Sequence, residues 1–128
     1  MKTAVLIADF KAAAVKLQAA LTGNHNSELE RAGAIQYFEL AFELAWKSCK
    51  AKAEELGIQE IRSPKAALKE AKTQGWIREE QIWLEMLEAR NRMAHVYSAE
   101  QAMEVYGKLS AFATALANLA GALGKAEA

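Results

Sequence analysis

Near the start of the chain, Leu6, Phe10, Ala13, Ala14, Leu17 and Leu21 recur at three- and four-residue steps. That spacing predicts a helix over residues 3 to 22 with one buried stripe. The turn-forming run "GNHN", residues 23 to 26, ends it. "SELE" follows and offers a capping box, in which Ser27 accepts from the amide near Glu30 and the Glu30 carboxylate answers. A second helix is expected from about 28 to 56, with Ile35, Phe38, Phe42, Ala45, Cys49, Ala53 and Leu56 on one stripe. Tyr37, Ala41 and Leu44 form a neighbouring stripe, so this helix should touch more than one partner. Gly57 stands where a left-handed residue would close it.

"SPKAALKEAKTQG" reads as a short helix capped by Ser63, opened by Pro64 and closed by Gly75. Trp76 and Ile77 lead into a fourth helix carrying Ile82, Trp83, Leu84, Met86 and Leu87. "SAEQ" is a further expected capping box, from Ser98 and Gln101. The last helix aligns Ala102, Val105, Leu109, Phe112, Leu116, Leu119 and Leu123, and the tail "GKAEA" is expected to fray. No run alternates with period two for long enough to make a sheet. The expectation is an all-α, up-and-down antiparallel four-helix bundle with one extra short helix, residues 1–128 forming a single domain.

Charge narrows the partners. Sixteen basic residues balance sixteen acidic ones, so no global field draws in DNA or an anionic membrane. An anion site would have to be local. The lone cysteine, Cys49, excludes an internal disulfide, and a cytoplasmic, membrane-free protein is expected. A di-metal carboxylate site is disfavoured because no Glu-x-x-His occurs, and no cofactor is anticipated.

The local candidate is "RNRMAHVY", residues 90 to 97. At about 100° per residue, Arg90 shares a face with Trp83, Met86, Leu87 and Tyr97, while Asn91 shares one with His95. Arg90 and His95 are five apart, roughly 140° around the axis, and do not converge on one ligand within a regular helix. Either the helix loosens near Ala94, or a second copy completes the site across a two-fold axis. A histidine suits proton transfer near neutrality, and an arginine neutralises charge on a phosphoryl oxygen. The same residues also suit an ordinary helix end: cations favour the last turn, and Glu85 and Glu88 stand ready to pair with them. Glu39, Glu43 and Lys47, at four-residue steps, read as a solvated or ion-paired face, although Glu43 would meet Arg90 if the two edges adjoin. Trp46, Trp76 and Trp83 read as core or interface residues.

Arg90-Asn91, three residues, His95, one residue, Tyr97 resembles the motif of HEPN domains, in particular those of nucleotidyltransferase substrate-binding proteins. "RAGAIQYFELAFELAWKSCKAKAEELG", "SPKAALKEAKTQGWI" and "WLEMLEARNRMAHVY" resemble three successive segments of that family. The resemblance implies a homodimer, a minimal nucleotidyltransferase as partner, and RNA or a nucleotide as ligand. It implies the toxin of a toxin–antitoxin pair, a metal-independent ribonuclease with Arg90 and His95 catalytic and Asn91 and Arg92 supporting, beside Glu43. Tyr97 would be the acceptor in AMPylation by the partner. The alternative is a non-catalytic subunit that presents nucleotide or substrate to the nucleotidyltransferase.

Overall fold

The computed structural model describes residues 2–23, 27–95 and 98–127, the side chain of His95 excepted. Five helices follow in order: α1 Lys2–Leu21, α2 Glu28–Glu55, α3 Pro64–Gln74, α4 Glu80–His95 and α5 Ala99–Glu127. No strand occurs among the described residues, so the all-helical bundle expected from the periodicity is the fold.

The ends form where the local chemistry dictates. Ser27 Oγ accepts from the Glu30 amide at 3.0 Å, and Glu30 Oε1 accepts from the Ser27 amide at 3.4 Å. Ser63 accepts from the Ala66 amide at 3.1 Å with Pro64 just inside the helix, where its missing N–H costs nothing. Gly75 closes α3 at φ 82°, and Gly57 follows α2 at φ 88°, a region where a Cβ is strained. The "SAEQ" box is only half made: the Gln101 amide donates to Ser98 Oγ at 3.1 Å, but buried Gln101 Oε1 has no partner.

Helix α2 touches all four other helices. Ile35, Phe38, Ala41, Phe42, Ala45, Cys49 and Ala53 are all buried on it. Phe38 stacks on Phe112 of α5 with centroids 5.2 Å apart, and further along Lys52 meets Glu127 at 2.6 Å. Advancing from 38 to 52 on α2 thus matches advancing from 112 to 127 on α5, so these two run parallel. Helices α1 and α4 flank the pair and do not touch each other. The short α3 buries Ala67, Leu68 and Ala71 and leans on α2 and α4. Phe10, Leu17, Leu109, Leu116 and Leu123 complete a core in which each large side chain contributes about 1.5–3 kcal/mol of transfer free energy.

Three sequence expectations are corrected. Leu56 is 54% exposed, because α2 ends at Glu55 and the chain turns at Gly57 before the stripe can continue. In α1 the buried arc is rotated toward Thr3 and Ile7, leaving Leu6 only half-buried. The tail does not fray: α5 stays helical to Glu127, whose carboxylate reaches the Lys52 ammonium.

Glycine positions give a paired stability test. Gly75→Ala should destabilise by about 1–2 kcal/mol, because the new Cβ is strained in the left-handed region. Gly107→Ala should stabilise by about 0.5–1 kcal/mol, since α5 is helical there and a Cβ meets nothing within 4 Å. Urea unfolding of the two variants measures both signs; equal effects would contradict the helix-end assignment.

Candidate functional site

The site forms where the edge of α2 meets the second half of α4. Phe42 lies 6.3 Å from Trp83, ring to ring, and this buried contact sets the two helices in register. The next residue on α2, Glu43, emerges at the edge and meets Arg90, which follows buried Met86 by one turn. Arg90 Nε and Nη2 both donate to Glu43 Oε1, at 2.8 and 2.6 Å. The other carboxylate oxygen accepts from Trp46 Nε1 at 2.9 Å. Arg90 Nη1 donates to Asn91 Oδ1 at 3.1 Å. The guanidinium is therefore held along two edges, while 31% of the Arg90 side chain stays in contact with solvent.

This is the Glu43–Arg90 contact that adjoining edges would create, and it makes Glu43 more than one charge on a solvated face. Trp46 is the member that sequence reasoning missed. Its position three residues after Glu43 was the available signal, since such pairs are neighbours on a helix. Lys47 does not join Glu43; its ammonium sits 5.9 Å from the centre of the Trp46 ring. Glu39 lies close enough to feel both Arg90 and Glu43. Burial pushes its carboxyl above the ordinary value, the Glu43 charge adds to that, and Arg90 partly offsets it.

Arg92 goes elsewhere. It pairs with Glu88 at 3.2 Å and with Glu104 of α5 at 3.2 Å, the helix-end arrangement, so it is not brought beside Arg90. Asn91 and Arg92 both line an open cavity of about 500 Å³ with Lys65, Leu84, Leu87 and Gln101. Helix α4 is continuous through His95, so no loosening occurs at Ala94. The roughly 140° separation of positions 90 and 95 therefore persists in the fold. Tyr97 lies outside the described residues. On the buried stripe of α2, Cys49 is sealed from solvent, and burial pushes its thiol up to about 12, which makes it inert.

An all-helical bundle with an arginine–carboxylate edge defines the class of protein here, and comparison with known proteins supplies the family. The model of the family described as "nucleotidyltransferase substrate binding protein like" matches residues 6–125, and the chain belongs to that family. That description supports a partner-subunit role beside a nucleotidyltransferase. It is similar to a Thermus thermophilus protein of known crystal structure, at 29% identity and a TM-score of 0.81. That match covers 89% of this chain and 98% of the other. No curated protein matches. No helix among the described residues is long and apolar enough to cross a membrane.

Two measurements probe the site. A double-mutant cycle of Glu43→Gln and Arg90→Met in urea unfolding should give a coupling of about 0.5–1 kcal/mol, reduced by the pair's partial exposure. A coupling near zero would mean the pair does not hold α2 to α4 in solution. Glu39→Gln should raise stability at neutral pH. A carboxyl raised in the folded state favours folding at low pH and loses that contribution as pH rises through its folded value. The variant's advantage should therefore shrink in acid; an advantage that grows in acid contradicts the assignment.

Proposed function

We propose that this chain is the HEPN-type subunit of a two-component nucleotidyltransferase system and cleaves RNA without metal in a site shared by two copies. The supporting observation is geometric. Arg90 is tied towards α2 by Glu43, while α4 runs on unbroken to His95, about 140° further round. Helix positions 90 and 95 are not set to converge on a single phosphate. A second copy related by a two-fold axis can lend its His95 to the first copy's Arg90, and the reverse.

The chemistry needs no other nucleophile. His95 takes the proton of a ribose 2′-OH, and the 2′-oxygen attacks the adjacent phosphorus. The P–O5′ bond breaks and the 5′-oxygen leaves with a proton from solvent. Arg90 stabilises the charge that builds on the phosphoryl oxygens, and Asn91 fixes the guanidinium. The nucleotidyltransferase restrains this activity as an antitoxin, with Tyr97 as the acceptor of AMP. A bulky phosphate beside the motif would fill the anion site of the substrate.

A second reading has its own support. Arg90 already spends two donors on Glu43 and one on Asn91, which suits a subunit that binds and presents nucleotide without catalysis. RNA incubated with the chain in a chelator separates the two. On the first reading the wild type cleaves, and His95→Ala and Arg90→Ala each lose about 100-fold or more. No cleavage by the wild type, with nucleotide binding that Arg90→Ala abolishes, supports the second instead. A sedimentation coefficient of a monomer at micromolar concentration would remove the shared site. Intact mass after coexpression with the nucleotidyltransferase decides Tyr97: an AMP adduct absent from Tyr97→Phe is expected.

A further inference from the structure

Towards the other end of α4 from Arg90, a cavity of about 1040 Å³ opens between the α3–α4 turn and α5. It is open to solvent along exposed Arg78, Asn118 and Gly121, its volume reaches that of ligand pockets, and the Arg90 site makes no use of it. We propose that it binds a nucleoside phosphate, with Trp76 stacking on the base and Arg78 and Lys125 meeting the phosphates. This does not depend on the Arg90–His95 reading.

The turn that carries Trp76 and Arg78 is pinned. The Trp76 amide donates to the Ala71 carbonyl at 2.9 Å, and Lys72 Nζ donates to the Arg78 carbonyl at 2.6 Å. Such a turn presents its side chains in a fixed place, so little order has to be gained on binding. The Trp76 indole is half-buried there, and the buried Trp83 lines the same space. A partly exposed indole in a cavity is a stacking surface for a planar base.

The facing wall is α5, where Ala111, Ala115, Gly121 and Ala122 carry little or no side chain and leave room. Asn118 on the same wall offers an amide that can both donate to and accept from a base edge.

Charge then selects the ligand. Arg78 and Lys125 line the cavity, and neither has an ion pair among the described residues. Glu79 is the carboxylate on the lining and is outnumbered. An aromatic plane that shares a cavity with two cations lacking ion pairs among the described residues, in a chain of zero net charge, fits a planar anion, and a nucleoside phosphate joins both features.

The test titrates ATP, AMP, adenosine and inorganic triphosphate into the full chain without metal, read by calorimetry and indole fluorescence. ATP should bind at one site per chain and more tightly than adenosine or triphosphate alone. Arg78→Ala and Lys125→Ala should each weaken ATP about tenfold and leave adenosine nearly unchanged, since a charge-assisted hydrogen bond is lost. Trp76→Ala should weaken both ATP and adenosine. Gly121→Leu should fill the cavity and abolish binding while its circular dichroism and unfolding midpoint stay native-like. The turn variants carry the test if Gly121→Leu does not fold. Undetectable ATP binding, unchanged affinity in the three surface variants, or loss in Arg90→Ala with retention in Arg78→Ala would each overturn the proposal. Ribonuclease activity can fail without affecting this result, and the reverse.

Discussion

Helix α2 is apolar on two sides at once, and the stacking of Phe38 on Phe112 locks it lengthwise against α5. Everything else is arranged around that parallel pair: α1 on one flank, α4 with α3 on the other. Because α2 meets every other helix, its rotation about its own axis sets more than packing. Phe42 goes into the core against Trp83, and the very next residue is therefore delivered to the α4 edge. Glu43 is placed by the burial of its neighbour. Shifting α2 by one residue would bury the carboxylate and expose the ring, at a cost far above what one ion pair returns.

Helical periodicity made most of this legible from the sequence. The second helix's stripe from Ile35 to Ala53 is buried throughout, because a 3.6-residue repeat leaves little choice of face. The caps at Ser27, Ser63 and Gly75 follow from side-chain chemistry that acts within four residues. What could not be read depended on distant partners. The α5 tail looks polar and free, yet Lys52 from the far end of α2 gives Glu127 something to hold. Gln101 has the right spacing to complete its box but turns its oxygen into a buried position instead.

The site divides in the same way. The Glu43–Arg90 contact was conditional on two edges adjoining, and adjacency is a tertiary fact that no single helix encodes. Arg90 and Arg92 looked alike as cations two residues apart. The 200° or so between them sends one to α2 and the other to α5. The cavity beside Trp76 carried no motif at all. Its walls are a turn and the small-residue face of a helix nearly forty residues later, and only the fold brings them together.

Electrostatically, the two arginines of the motif helix are quiet. Arg90 is matched by Glu43, and Arg92 by Glu88 and Glu104, so neither presents a bare charge to an approaching phosphate. With zero net charge, no wider field compensates. Holding a guanidinium in place and leaving it free to attract an anion are opposed demands, and this site favours holding. What the clamp favours is direction: Nε and Nη2 face the carboxylate and Nη1 faces Asn91. An anion that engages it must come to where the fork already points. Position 95, five residues along the same helix, starts about 140° further round the axis, and that offset is the ground for proposing a second copy.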